Sequence, residues 1–475
     1  MEDGGARGRG PAADWRAPAA TGPVRAVVRL PGSKSMTNRA LVLAALADAP
    51  TTIRNPLSAR DTALMAAALR ALGAVIVTER GEAADGPQVG GGPQAADGPQ
   101  AAAPDWLVTP GPRDGRATAR AGDATVDAGN AGTVLRFVPP VAALGNAAVD
   151  FRGDPRASLR PVRPLLAALR ELGASIDDGG RGALPFVVHG RGGISGGTVT
   201  MDASASSQLV SGLLLAAPRY DKGAEVRHEG ARVPSAPHLA MTVQMLREAG
   251  ADVETGSRLT GDRASVPDVW RVHPGMLAPG TVTVEPDLSN AGPFLAAALV
   301  TAGTVTVAGW PRRTSQPAAP ILEVLTRMGA VCTPTPDGMR VTGSGEIRGV
   351  TADLRDVSEL TPVLTALAAL ASGPSVFTGI GHQRAQESDR LAALASEIGA
   401  LGGDVTELPD GLRIRPRPLR AAGQVFASHD DHRLVMAAAV LGLAVPGIRV
   451  RNAATVGKTF PAFTGAWAAM LERAP

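Results

Sequence analysis

A single cysteine, Cys332, in a chain of 475 residues rules out an internal disulfide framework and points to a reducing compartment. Aromatic residues make up only 3% of the chain, too few for the stacking platforms of single-strand nucleic-acid binders. Neither sign of charge dominates: 47 basic against 44 acidic residues leave a net +3, which argues against a nucleic-acid or membrane-surface partner. No apolar run reaches transmembrane length, because glycine, proline or charge interrupts each one. The N-terminus has no apolar signal core, so residues 1–23 read as a disordered tail and the expected address is cytoplasmic. The histidines form no HExxH pattern and Cys332 has no cysteine partner, so no metal site is expected. "GSKS" lacks the spacing of a nucleotide phosphate loop, because Ser33 separates Gly32 from Lys34. The glycine pairs match no dinucleotide fingerprint and are most simply turns.

What is present is repetition. The chain is too long for one ordinary core, so two or more domains are expected. A helix end, a glycine and a short strand recur as "AALRALGAVIV", "AALRELGASID", "QMLREAGADVE", "EVLTRMGAVCT" and "LASEIGALGGDV". Gly73, Gly173, Gly250, Gly329 and Gly399 each fit a helix C-terminal position, where a left-handed backbone favours glycine. The low-complexity segment 81–105 reads as a disordered insertion. With it set aside, the phrase returns at a period of roughly 75 residues.

In step with it, a polar cluster opens an Ala/Leu/Val-rich helix. The copies are "SKSMTNRALVLAALA", "GNAGTVLRFVPPVAAL", "SASSQLVSGLLLAAP", "DLSNAGPFLAAALV", "VSELTPVLTALAAL" and "HDDHRLVMAAAVLGL". These helices are apolar all round and should be buried on every side. Six α/β units, each with one buried helix, suggest two lobes of three.

The helix starts carry the functional signal. A helix N-terminus presents free N–H groups and a partial positive charge, and several facing one cleft make an anion site. Ser, Asn and Asp there are ordinary caps. Lys34, Arg39, Arg136 and Arg433 are not, because the macrodipole disfavours cations at this end. Each could pair with a nearby carboxylate; their recurrence across the repeats favours bound anions. Asn130, Thr133, Ser289, Asn290, Asp431 and His432 share these positions. "GDPRASLRP" and "HQRAQESDRLAALASEIG" add Arg156, Arg160, Arg384 and Arg390, with Gln386 and Arg390 expected on one helix face. His238 in "PSAPH" is weak alone.

Taken together, "PGSKSMTNRALVLAALA", "GNAGTVLRF", "GDPRASLRP", "SASSQ", "PSAPH", "ESDRL", "DDHR" and "GKTFP" resemble, in order and spacing, the 3-phosphoshikimate 1-carboxyvinyltransferase (EPSP synthase) family, from about Val24 to the C-terminus. The resemblance implies an α/β fold: a two-lobed inverse α/β barrel of six repeats, three per lobe, enolpyruvyl transferase-like. It places one lobe at 33–283 and the other at 24–32 plus 284–475. It implies transfer of the enolpyruvyl group of phosphoenolpyruvate to the 5-hydroxyl of shikimate 3-phosphate, without metal or organic cofactor, by a monomer.

By the same resemblance, Lys34, Ser35, Arg39, Ser206, Ser207, Gln208, Ser235, Glu359 and Gln386 look like the shikimate 3-phosphate site. Lys34, Gly132, Arg156, Gln208, Arg390, Arg433 and Lys458 look like the phosphoenolpyruvate site. Glu359, Lys34 and Glu387 are the implied proton carriers. Glu359 stands where the family usually has an aspartate, Gln386 where a lysine is common, and His382 where an asparagine is common. The same-fold UDP-N-acetylglucosamine enolpyruvyl transferases carry a loop cysteine for which "GDPRASLRP" has no counterpart. A phosphometabolite-binding protein that kept the anchors and lost the acid–base pair is the alternative from another class.

Overall fold

The computed structural model describes residues 13–79, 104–111, 124–257 and 267–472. The buried helices form where the polar-then-apolar phrases occur. They span Lys34–Ala45, Gly132–Ala142, Ser207–Ala216, Leu288–Val300, Thr361–Ala369 and His432–Ala444. Nearly every residue of the Ser207–Ala216 and His432–Ala444 helices is buried. Close approach explains small residues in them: a Cβ on Gly212 would meet the Arg136 carbonyl at 2.1 Å.

Each unit adds a small mixed sheet. A parallel pair, such as Gly197–Met201 with Ala224–His228, is extended by two antiparallel strands, here Val269–Val272 and Val253–Gly256. The same plan recurs in four other sheets. The sixth has three strands, and its antiparallel member is Trp15–Arg16, paired with Arg449–Arg451. The expectation of a disordered tail over 1–23 is therefore wrong for residues 13–23; residues 1–12 lie outside the described ones. Ala17 N–H donates to the Ile448 carbonyl at 3.0 Å, Ala20 N–H to that of Leu443 at 3.1 Å, and Ala17 is buried against the last buried helix. Closing a sheet edge and burying Ala17 outweigh the polar composition.

Three other expectations are corrected. Gly399 lies inside the Arg390–Ala400 helix, and Gly402, at φ +93°, takes the left-handed position one turn on. Gln386 precedes that helix, so it does not share a face with Arg390. Of the insertion expected at 81–105, all but Pro104 and Asp105 lies outside the described residues. Asp105 belongs to the hairpin: its carbonyl accepts Glu79 N–H at 3.0 Å and its carboxylate Asn55 N–H at 3.2 Å.

Two apolar cores result. One draws on residues between Met36 and Val284, the other on Ala17–Leu30 and Leu288–Met470. The chain passes between them twice, and the two passages lie side by side. Ser33 N–H donates to the Glu285 carbonyl at 2.8 Å and Asp287 N–H to that of Pro31 at 2.9 Å. A Cβ on Gly32 would stand 2.1 Å from the Asn55 carbonyl, so glycine is required at this crossing. Among the described residues no helix is long and apolar enough to cross a membrane.

Candidate active site

Where the lobes meet, the starts of the buried helices converge on a cavity of about 80 Å³. Its lining draws on both lobes and includes Lys34, Ser35, Gly132, Ser206, Ser207, Gln208, Ser235, Glu359, Gln386, Glu387, Arg390 and Arg433. Small-molecule sites usually offer roughly 300–1,000 Å³, so this cleft is a tight one. A larger cavity of about 1510 Å³, lined by Trp270, Trp310 and several prolines, shares none of these lining residues.

The caps form as the local sequence dictates. Ser206 accepts from Gln208 N–H, Asp287 from Asn290 N–H and Asp431 from Arg433 N–H. Asp287 also accepts Lys34 N–H at 3.1 Å, tying the two crossover helices together. Ser235 begins its helix at φ +54°, a strained conformation for serine. It is held across the cleft, with its N–H on the Arg355 carbonyl at 3.0 Å and its hydroxyl 3.1 Å from that of Ser358.

The guanidiniums divide into two kinds. Arg136 donates to Gln208 Oε1 at 2.9 Å and to the Pro161 carbonyl at 3.2 Å. Arg160 donates to the Asn130 carbonyl at 2.8 Å and to Gln386 Oε1 at 3.1 Å, and Arg433 to the Ser289 carbonyl at 2.9 Å. Among the described residues, none of the three has a carboxylate at ion-pair distance. Burial pulls the Arg136 guanidinium down to about 9, with Arg160 lowering it further and Glu387 opposing. Burial lowers that of Arg433 too, although Asp287 opposes. Gly132 lies against two of these groups: a Cβ there would meet Arg160 at 2.6 Å and Arg136 at 2.7 Å.

Arg390 is the opposite case. Its Nε lies 2.7 Å from Asp431 and its Nη2 2.9 Å from Glu387. Lys458 Nζ sits 3.0 Å from Glu387 and 2.9 Å from the Asn130 carbonyl of the other lobe. Burial raises the Glu387 carboxyl, but Lys458, Arg390, Arg160 and Lys34 together hold it well below its ordinary range. Lys34 Nζ lies 3.2 Å from the buried Asp61.

Glu359 stands just ahead of the Thr361–Ala369 helix, with Oε1 3.3 Å from His238 Nδ1 and Oε2 without a hydrogen-bond partner among the described residues. Burial raises its carboxyl; His238, its own N–H, Arg433 and His382 outweigh that and bring it below the ordinary value. Burial lowers His238 and takes His382 down to about 4, so both imidazoles are neutral at pH 7.

Three expected site residues are not on the cavity wall. Arg39 lies beneath it, bonded to Thr242 Oγ1 at 2.8 Å, the His238 carbonyl at 3.0 Å and the Ser35 carbonyl at 2.9 Å, and stacked over Phe137. Arg156 reaches across the lobes to the Arg384 carbonyl at 3.2 Å. Lys458 stands behind Glu387. Thr133, Ser289 and His432, expected at the helix starts, line the cavity, as does Arg160; Asp287, Ser358, His382 and Gln383 line it with no binding role expected of them, and so does His238, whose motif was weak alone. Arg160 stood among the expected cations, in the same motif as Arg156 and four residues on, and the structure brings it to the cavity wall where Arg156 is not.

Six inverse α/β units in two lobes, with helix N-termini and cations turned into the cleft between them, define an enolpyruvyl transferase. The family model for EPSP synthase (3-phosphoshikimate 1-carboxyvinyltransferase) matches residues 18–97 and 107–467, and the chain belongs to that family. It is 49% identical over 459 residues to a 3-phosphoshikimate 1-carboxyvinyltransferase of Kocuria rhizophila, covering 96% of each chain. Among solved structures, the fold is shared with EPSP synthase from Acinetobacter baumannii at a TM-score of 0.73 and 23% identity, over 97% of this chain and 98% of that one. The enolpyruvyl transferase NikO from Streptomyces tendae follows at 0.67 and 19%, over 95% and 96%.

Proposed function

We propose that the cleft transfers the enolpyruvyl group of phosphoenolpyruvate to the 5-hydroxyl of shikimate 3-phosphate, releasing phosphate, in the shikimate pathway toward chorismate and aromatic amino acids. The observation that carries this reading is the set of guanidiniums, Arg136, Arg160 and Arg433, held by carbonyls and amides beside a row of hydroxyls. Such groups keep their charge for planar anions, and both substrates are phosphorylated.

Ser35, Ser206, Ser207, Gln208, Ser235 and Gln386 bind shikimate 3-phosphate, with Arg39 supporting Ser35 from below. Lys34, Gly132, Gln208, Arg160 and Arg433 bind phosphoenolpyruvate, with Arg390 shaping the wall behind them and Arg156 and Lys458 completing the site as the lobes shut. The Lys34 ammonium delivers a proton to C3 of phosphoenolpyruvate while C2 bonds to the 5-oxygen, whose proton passes to Glu359. The tetrahedral adduct then loses phosphate while a C3 proton returns to Lys34, which restores the enol double bond, and the proton held by Glu359 leaves with the phosphate. Glu387, held ionised, orients Arg390 and Lys458 and exchanges protons only through Lys458.

The working division is a lobe of 33–283 and a lobe of 24–32 plus 284–475, supported by the separate cores and the paired crossings. A cytoplasmic monomer suffices, because one chain supplies both walls of the cleft. Cys332 lies on the Ala330–Thr335 strand and not on the cavity wall, which speaks against cysteine-assisted chemistry on a UDP-sugar. The test is phosphate release measured with each substrate omitted in turn. Release should require both, and equal turnover with UDP-N-acetylglucosamine as acceptor would overturn the assignment.

A further inference from the structure

Glu359 is a long acceptor. It has one more rotatable bond than an aspartate, and a carboxylate that swings is poorly placed to take a proton in the transition state. Gln386, whose Oε1 accepts from Arg160, brings no ammonium to restrain it. One group does touch it: His238, the third residue of the Ala236–Glu248 helix, whose Nδ1 lies 3.3 Å from Oε1. His238 is itself fixed, because its carbonyl accepts from Arg39 at 3.0 Å and from Thr242 at 2.9 Å. The strained Ser235 and its contact with Ser358 clamp the same two segments on either side.

The geometry points to His238 as the positioning residue for the proton acceptor. The imidazole Nδ1, 3.3 Å away, holds Glu359 Oε1, which leaves Oε2, the oxygen without a partner among the described residues, to receive the proton of the attacking hydroxyl. The hydroxyl O–H bond breaks as its oxygen bonds to the enolpyruvyl carbon, and the proton moves to Oε2; His238 gains and loses none. The contact spans the cleft, so the acceptor is set only when the lobes meet. The charged and titratable groups around the pair are Lys34 and Arg39 on the first buried helix and Asp287 at the second crossover. Arg433 on the last buried helix and His382 in the turn beneath Ser358 complete the set. Burial keeps the imidazole neutral at pH 7, which suits a donor that must not compete for the proton.

This inference rests on Glu359 as acceptor, and the experiment separates the two. Turnover, phosphoshikimate affinity by calorimetry and the pH dependence of kcat are measured for wild type, His238→Phe, His238→Asn, His238→Gln, Glu359→Gln and the double variant His238→Phe/Glu359→Gln. His238→Phe should lower kcat about tenfold or more while phosphoshikimate affinity stays within about threefold. Its acidic limb should move to higher pH, because the carboxylate has lost a donor. His238→Asn places an amide donor at the Nδ1 position and should recover most of the rate, whereas His238→Gln carries its amide one atom further and should recover less. In the double variant the His238 change should add almost nothing, since there is no carboxylate left to position. If Glu359→Gln collapses turnover yet His238→Phe leaves both kcat and the pH profile unchanged, or acts additively with Glu359→Gln, His238 has no such role. If Glu359→Gln turns over normally, the acceptor assignment itself fails. Should His238→Phe not fold, His238→Asn and His238→Gln carry the same comparison: equal kcat and pH profile in the two, although Gln carries its amide past the Nδ1 position, would refute the role.

Discussion

Arg160 and Arg390 are buried guanidiniums on opposite walls of one cleft, and they are held in opposite ways. Arg160 rests on a carbonyl and an amide oxygen, so its charge remains for an incoming anion. Arg390 is locked by Asp431 and Glu387, two carboxylates buried with it. The contrast separates binding from architecture. A cation satisfied by neutral dipoles is an anchor for phosphate or carboxylate; a cation satisfied by carboxylates holds the wall in shape and tunes its neighbours.

The contrast is tested most severely by Arg390→Ala. It leaves Asp431 without its guanidinium and Glu387 with Lys458 alone, and should destabilise the fold by about 3 kcal/mol, read as a fall in denaturant midpoint. The Glu387 carboxyl is depressed in the folded state. Its stabilising contribution is complete above the ordinary carboxylate range and is lost as pH falls through the folded value, so wild-type stability should drop on acidification and the variant's should drop less. Arg160→Ala and Arg433→Ala should behave differently, with a small change in stability and apparent phosphoenolpyruvate affinity at least about tenfold weaker, as for a lost charge-assisted bond of about 1.5–3 kcal/mol. Equal destabilisation by Arg160→Ala and Arg390→Ala would erase the distinction.

A smaller effect is expected from Gln386→Lys. A cation near Glu359 favours its ionised form, so the acidic limb of the rate–pH profile should move to lower pH, by less than about one unit because Arg160 already occupies that corner. The least effect should come from deleting residues 81–103. Val75–Thr78 and Trp106–Thr109 pair as neighbouring antiparallel strands, with Glu79 bonded to Asp105, so a short turn can close them. Melting temperature and activity should both be nearly unchanged.

The six buried helices and their polar starts were legible in the sequence, because a helix apolar on all sides can only be a core helix. The anchors at those starts were legible for the same reason. The strand at Trp15–Arg16 was not: two residues carry no periodicity, and its partner lies at the far end of the chain. Nor was the wall opposite each anchor. The Lys458 contact with Asn130 and the Arg160 contact with Gln386 join residues that only lobe closure brings together. His238 gave no signal because a lone histidine has none until Glu359 is seen beside it.

The separation of anchoring from proton transfer is tested most directly by Glu359→Gln, assayed for phosphoshikimate binding and for turnover in the same preparation. Binding should stay within about threefold of wild type while kcat falls by more than about a hundredfold, the scale of a positioned general base. Near-normal turnover, or loss of binding and rate together, would contradict it.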